Sequence, residues 1–140
     1  MKVNPYLIFD GNAEEAFNFY KSVLGGEFSS VSRMSDAPGT ENLTENEKNR
    51  LMHIALPITE QVTLMASDCG PGMGEGFLIG NNVNISIHTD SREDADRLFS
   101  GLSAGGKVEM PIADMFWGDY FGSFIDKFGV NWMVNYSKHV

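Results

Sequence analysis

The groups of this sequence that can carry a proton, hold a metal or attack an electrophile are few. There are three histidines, one cysteine and a set of acids that outnumber the bases by 19 to 10. His88, in "NVNISIHTD", is the leading catalytic candidate, because an imidazole titrates near neutrality and can act as acid or base. Its structural alternative is a hydrogen-bonded histidine at a strand end. His53, in "LMHIALPI", lies among apolar neighbours. His139, one residue from the last, reads as exposed. Asp68 closes the strand-like run "QVTLMASD", where it can cap the following turn or approach a site. Cys69 has no cation or histidine beside it in the sequence to favour a thiolate, so no nucleophilic role is assigned to it. Glu14 and Glu15 fall in the first turn of a helix, where they complement its dipole. The densest aromatic stretch, "FWGDYFGSFIDKFGVNWMVNY" (116–136), holds both tryptophans and two of the four tyrosines.

These residues sit on elements whose order is written twice. "VNPYLIF" is strand-like. Asn12 stands at a helix N-cap with Glu15 in the capping-box position. Ala13, Ala16, Phe17, Tyr20, Val23 and Leu24 follow at helical spacing, and Gly25 and Gly26 end the run. In the second half "NVNISIH" is the strand and Ser91 the cap. Ala95, Leu98, Phe99 and Leu102 form the stripe, and Gly105 and Gly106 the stop. A shift of 79 residues (20 to 99) lays Tyr20 on Phe99. Three strand-like runs follow each helix: "EFSSVSRM", "LMHIALPI" and "QVTLMASD", then "KVEMPIAD", "YFGSFID" and "VNWMVNY". The order predicts an α+β fold of two βαβββ modules, about 1–68 and 81–140, in one 140-residue domain. The segment 35–50 reads as a loop with one helical turn, capped by Thr44 and Glu47, and a lid is its functional alternative. The glycine-rich join, about 69–80, lacks the Gly-Lys-Ser/Thr ending of a phosphate loop.

A net charge of −9 disfavours nucleic acid and anionic membrane surfaces as partners. No apolar run approaches membrane-span length, and one cysteine supports no intrachain disulfide. A cytoplasmic protein is the expectation.

The two end motifs, "PYLIFDGNAEEAFNFYKSVLGGE" and "FWGDYFGSFIDKFGVNWMVNY", with "LMHIALPI" and "TLMASD" between them, resemble the vicinal oxygen chelate superfamily of glyoxalase I, bleomycin-resistance proteins and extradiol dioxygenases. Within it they look like the PhnB-like branch. The resemblance implies a cupped mixed sheet, usually in a homodimer. It also implies a divalent metal held by four strands, which chelates two neighbouring substrate oxygens. Carried over residue by residue, the four ligand positions fall at Pro5, near Met65, at Asn84 and at Met133. Proline, methionine and asparagine do not make the usual set for zinc or a hard divalent ion. No metal or other cofactor is therefore expected, with His53 as the ligand should a metal bind by another route. Some members of the branch are labelled ubiquinone-pathway methyltransferases. No glycine-rich nucleotide fingerprint supports that label here.

Strand alternation puts Val83, Ile85 and Ile87 on one face and Asn84, Ser86 and His88 on the other. In the last strand Trp132, Val134 and Tyr136 alternate with Asn131, Met133 and Asn135. The 79-residue shift makes Pro5, Leu7 and Phe9 the first-strand equivalents. The expected cup therefore holds Leu7, Phe9, Met65, Asn84, Ser86, His88, Asn131, Met133 and Asn135, with Trp117 at its rim beside Tyr120 and Phe121. Such a lining suits a small organic ligand. Three readings follow: a small-molecule binder with a metal-free cup and at most weak chemistry through His88, a divalent-metal lyase, isomerase or dioxygenase, and a structural dimer whose cup is filled by its methionines.

Overall fold

The computed structural model describes residues 1–70 and 74–138. His139 and part of the glycine-rich join lie outside the described residues. The chain divides into two compact units, Met1–Leu78 and Ile79–Val140, and each has one four-stranded mixed sheet with a 12-residue helix on one side.

In the first unit β1 (Tyr6–Phe9) leads to α1 (Ala13–Leu24), then β2 (Ser30–Arg33), a short α2 (Glu45–Asn49), β3 (Leu51–Pro57) and β4 (Thr63–Asp68). The strand order is β1-β4-β3-β2, with β1 and β4 parallel and the other pairs antiparallel. The second unit repeats it: β5 (Ile85–Thr89), α3 (Arg92–Ser103), β6 (Lys107–Asp114), β7 (Asp119–Ile125) and β8 (Asn131–Ser137), in the order β5-β8-β7-β6. The α+β reading and the doubled βαβββ order both hold.

The helices bury the stripes their spacing predicts, Ala13, Ala16, Phe17 and Tyr20 on α1 and Ala95, Leu98, Phe99 and Leu102 on α3, while Val23 and Leu24 at the end of α1 are half-buried. The strands meet them with Phe9, Ile54, Leu56, Leu64 and Ala66 in the first unit and Phe124, Trp132 and Val134 in the second. Gly122 on β7 makes room for Phe99, since a Cβ there would lie 2.6 Å from its ring. The hairpin turn at Asp126–Gly129 forms as expected, with the Gly129 amide donating to the Asp126 carbonyl at 3.0 Å.

The helix caps differ between the halves. The Ser91 side chain accepts from the Asp94 amide at 3.0 Å. Asn12 makes no side-chain cap bond. Asp68, from the end of β4, does that work by accepting from the Gly11 and Ala13 amides at 2.8 and 3.1 Å, and from the Leu51 amide at 2.8 Å. A carboxylate takes more donors than an asparagine carbonyl, and its charge suits a helix N-terminus. Asp68 therefore belongs to the helix side of its sheet.

Segment 35–50 is an Ω-like loop with a closed neck. The Met34 amide donates to the Arg50 carbonyl at 2.8 Å, and Arg33 binds both oxygens of Glu14. Within the loop, Thr44 and Glu47 form the predicted capping box on α2. The second sheet ends in an edge strand, β6, whose register to β7 shifts between Val108 and Met110 and again between Met110 and Ala113, with Pro111 inside the second irregularity.

Candidate functional site

With a helix on one side of each sheet, the other side is an open face whose residues follow from register and pleat. In the first unit one central row runs Tyr6, Met65, Ala55, Ser30 across β1, β4, β3 and β2. The next row holds Ile8 with Ser67 and His53 with Ser32. In the second unit the matching rows are Ser86, Met133, Ser123, Met110 and His88, Asn135, Phe121, Ala113. Met65 and Met133 thus occupy the same place in the two sheets, each half-buried at the centre of its open face.

This register corrects part of the sequence reading. Leu7 and Phe9 do not face the cup side. Phe9 is 3% exposed and packs edge-on against Phe17 of α1, with ring centroids 6.3 Å apart, and Leu7 shares its face. The open-face residues of β1 are Tyr6 and Ile8, both partly exposed. The reason is one residue of turn. The strands correspond at a shift of 80 (Tyr6 to Ser86), whereas the helix caps correspond at 79 (Asn12 to Ser91). The first turn carries an additional Gly11 at φ +97°, a conformation that favours glycine. A slip of one residue turns every side chain of a strand to the other face. By the same register it is Tyr6, not Pro5, that stands beside Met65. Ser86, not Asn84, stands beside Met133.

The remaining candidates fall as follows. Ser86 and His88 are neighbours on the open face, with Ser86 Oγ and His88 Nε2 3.2 Å apart. Asn131, Met133 and Asn135 alternate with buried Trp132 and Val134, and Asn135 is itself 5% exposed. Asn84 precedes β5 and is exposed, and the pleat aligns it with Ser86. Trp117 stands half-exposed at the margin of the second open face, edge-on to Phe121 with centroids 6.1 Å apart, and Phe116 packs on it in turn. Tyr120 is not part of this aromatic edge. It points to the helix side, donates to Asp96 of α3 and lies under the Arg92 guanidinium, 3.8 Å from its ring. The hydrogen bond to Asp96, aided by burial, raises the Tyr120 pKa above the usual phenolic value.

Two features were invisible in the sequence. The first is the partner of His53, itself a sequence candidate: the Tyr6 phenol oxygen lies 3.1 Å from His53 Nδ1, and the rings stack with centroids 5.7 Å apart. Forty-seven residues separate the two, and only the β1-β4-β3 order brings them together. The second is a polar cluster on the first unit. Arg50 reaches from the start of β3 to Asp10 and to Cys69 Sγ, the latter at 3.5 Å, and the thiol points to Asp10 at 3.3 Å. The hydrogen bond from Arg50 holds the Asp10 carboxyl below its ordinary value. Burial, with Asp10 as acceptor, pushes the Cys69 thiol up. The fold brings a cation, Arg50, beside Cys69 from 19 residues away, yet the thiol is the favoured form and the residue remains a poor nucleophile.

Concavities open on both units. One of about 630 Å³ lies between the Ω-like loop and the start of α1, with Glu14, Arg33, Glu47 and Arg50 on its walls. Both arginines are already paired with carboxylates. Another, of about 260 Å³, lies at the ends of β5 and β8 and includes His88, Asp90, Tyr136 and Lys138.

A family model for the glyoxalase/bleomycin resistance protein/dioxygenase superfamily matches residues 2–134. The chain belongs to this superfamily. Protein YjdN of Escherichia coli K12 is 30% identical over 99% of this chain and 97% of its own length. The crystal structure of protein PA1353 from Pseudomonas aeruginosa is 37% identical, covers 98% of both chains and superposes with a TM-score of 0.82. A PhnB protein from Bacillus cereus, which carries the provisional name 3-demethylubiquinone-9 3-methyltransferase, is 25% identical. It covers 98% of this chain and all of its own, with a TM-score of 0.80.

The superfamily's divalent metal can be tested against these side chains. In register, the positions facing the open side are Tyr6 with Met65 and Ser86 with Met133. A thioether beside a phenol on one sheet, and a thioether beside an aliphatic hydroxyl on the other, do not supply ligands for zinc or a hard divalent ion. Among the described residues no three His, Cys, Asp or Glu side chains converge on one point. The residues present do not fit the family's metal. No helix among them is long and apolar enough to cross a membrane.

Proposed function

We propose that this superfamily member is a small-organic-molecule binding protein that works without a resident divalent metal, as a cytoplasmic homodimer. The observation that carries this reading is the make-up of the open faces. Where a metal would need several carboxylates and imidazoles together, each sheet centres on a methionine among hydroxyl and apolar groups with one histidine, and the second face adds amides. Thioethers adapt to irregular shapes, and scattered hydrogen-bonding groups orient a ligand without fixing one chemistry. Ser86, His88, Asn131, Asn135, Trp117 and the two methionines are the contacts this reading assigns, with Tyr6 and Ile8 replacing Leu7 and Phe9. His88, bonded to Ser86, is the group for any weak acid–base step.

A methyltransferase role, suggested by the name of the Bacillus relative, lacks a nucleotide-binding turn. The two strand-to-helix turns read "FDGN" and "TDS", with no repeated glycines to admit a cofactor's phosphates or ribose.

Native mass spectrometry of protein purified without chelator and then exposed to zinc, nickel, manganese and iron(II) tests the proposal. The expected result is a dimer without stoichiometric metal. One metal per chain would overturn it and make His53 the first ligand to replace.

A further inference from the structure

The Tyr6–His53 pair has a property that does not depend on where its shared proton lies. If the phenol donates to Nδ1, the pair has a free Nε2–H donor and free lone pairs on the Tyr6 oxygen. If Nδ1–H donates to the phenol oxygen, the free groups are the Tyr6 hydroxyl hydrogen and the Nε2 lone pair. Either way the pair leaves one donor and one acceptor free, on the phenol oxygen and on Nε2. The stacked rings hold the two in place, and Tyr6 is 46% exposed.

The surroundings add a second constraint. None of the chain's 19 acids or 10 lysines and arginines lies in the two central rows of the first open face. The neighbours are Met65, Ala55, Ile8 and three serines. The acid nearest this face is Asp10, which follows Ile8 on the same side and is held by Arg50 at the end of the face, while Asp68 has its carboxylate on the helix side with all three donors described above. A charged ligand here would lose hydration with no opposite charge to replace it. A cation binder with acids to spare has no reason to keep all of them off this face.

We propose that the first sheet's open face takes an uncharged ligand with a neighbouring acceptor and donor, of the carboxamide or lactam class, anchored by Tyr6 and His53. This rests on the small-molecule reading above and names the ligand chemistry of one of its faces.

Benzamide, benzoate and benzamidinium have nearly one shape and carry charges of 0, −1 and +1, so they separate charge from fit. Titrating each into protein with ¹³C-methyl methionine, and assigning Met65 with Met65→Leu, reads occupancy at this face. Benzamide is expected to shift the Met65 methyl saturably, with a Kd about tenfold below that of either ion, a difference of about 1.4 kcal/mol. Tyr6→Phe and His53→Gln should each weaken benzamide about fivefold, as loss of one hydrogen bond would, and leave the ions unchanged. Equal or tighter binding of benzamidinium or benzoate would overturn the charge argument while leaving a small-molecule binder intact. Benzamide binding that ignores both substitutions would overturn the anchor. Failure of all three compounds to move any methionine methyl would count against this inference and the binding reading together.

Discussion

Asp68 in the first unit and Asp126 in the second are almost free of solvent, at 4% and 3% exposure, and each receives three N–H donors. They differ in what those donors belong to. Asp68 gathers the turn after β1, the start of α1 and the start of β3, so one side chain fixes three elements up to 57 residues apart. Asp126 binds the Phe128 and Val130 amides and the Trp132 indole, all within six residues, so it fixes one hairpin. The first carboxylate organises a unit; the second shapes a turn and pins the largest core side chain.

The sharpest way to break this comparison is to remove each acid. Asp68→Ala leaves three backbone donors unmet, at about 1–3 kcal/mol apiece before relaxation. It should cost about 4 kcal/mol or prevent folding of the first unit, measured by denaturant melts. Asp126→Ala should cost about half as much and red-shift or quench Trp132 fluorescence. Equal losses would show that reach along the chain does not matter.

Packing gives the next contrast. Ile54 and Gly122 hold equivalent helix-side places on β3 and β7, and Gly122 lies against Phe99 of α3. Gly122→Ala drives a Cβ to 2.6 Å from the Phe99 ring and 2.8 Å from the Ile112 backbone. It should destabilise by about 2 kcal/mol, the usual scale of overpacking, and Phe99→Leu in the same chain should recover part of it.

The smallest effects lie in the two clasps between a helix start and an edge strand. Glu14 of α1 pairs with Arg33 at the end of β2, and Arg92 of α3 with Asp114 at the end of β6, both bidentate and of opposite polarity. The first puts its acid at the positive end of the helix; the second puts its base there, with Glu93 and Asp94 alongside to offset it. Arg33→Ala should cost under about 1 kcal/mol and less in high salt, since both partners are over one-third exposed. The second clasp has a pH signature. Hydrogen bonding from Arg92 lowers the Asp114 pKa, so its contribution is complete above the ordinary carboxyl range and fades as pH falls through the lowered value. Melting curves of the parent and Arg92→Ala should differ at pH 6–7 and converge in strong acid. A gap that persists there would mean the cation–π contact with Tyr120 carries the effect.

The sequence was legible where signals are local. Helices announced themselves through stripes and paired glycines, and the face of β8 was plain because Trp132 and Val134 alternate with polar residues. It failed where the answer depended on partners far away. Asn12 looked like a cap because the real one, Asp68, lies on another strand. Leu7 and Phe9 were turned to the wrong face by carrying a helix alignment across a turn one residue longer. Phe121 and Ser123 on β7 gave no sign of their central place, since "DYFGSFI" is largely apolar on both faces. The Tyr6–His53 contact needed the strand order itself.

The irregular rim of the second sheet has its own consequence. β6 is exposed along most of its length, and a regular strand of eight residues there would be a template on which other chains could extend the ladder. Pro111 has no amide hydrogen to give, and two register breaks bend the line of carbonyls around it. Charged Lys107, Glu109 and Asp114 punctuate the rest. The strand can thus stay in the sheet while being a poor nucleus for fibrous growth. That protection lies in the backbone, where dilution, ionic strength and crowding do little to weaken it.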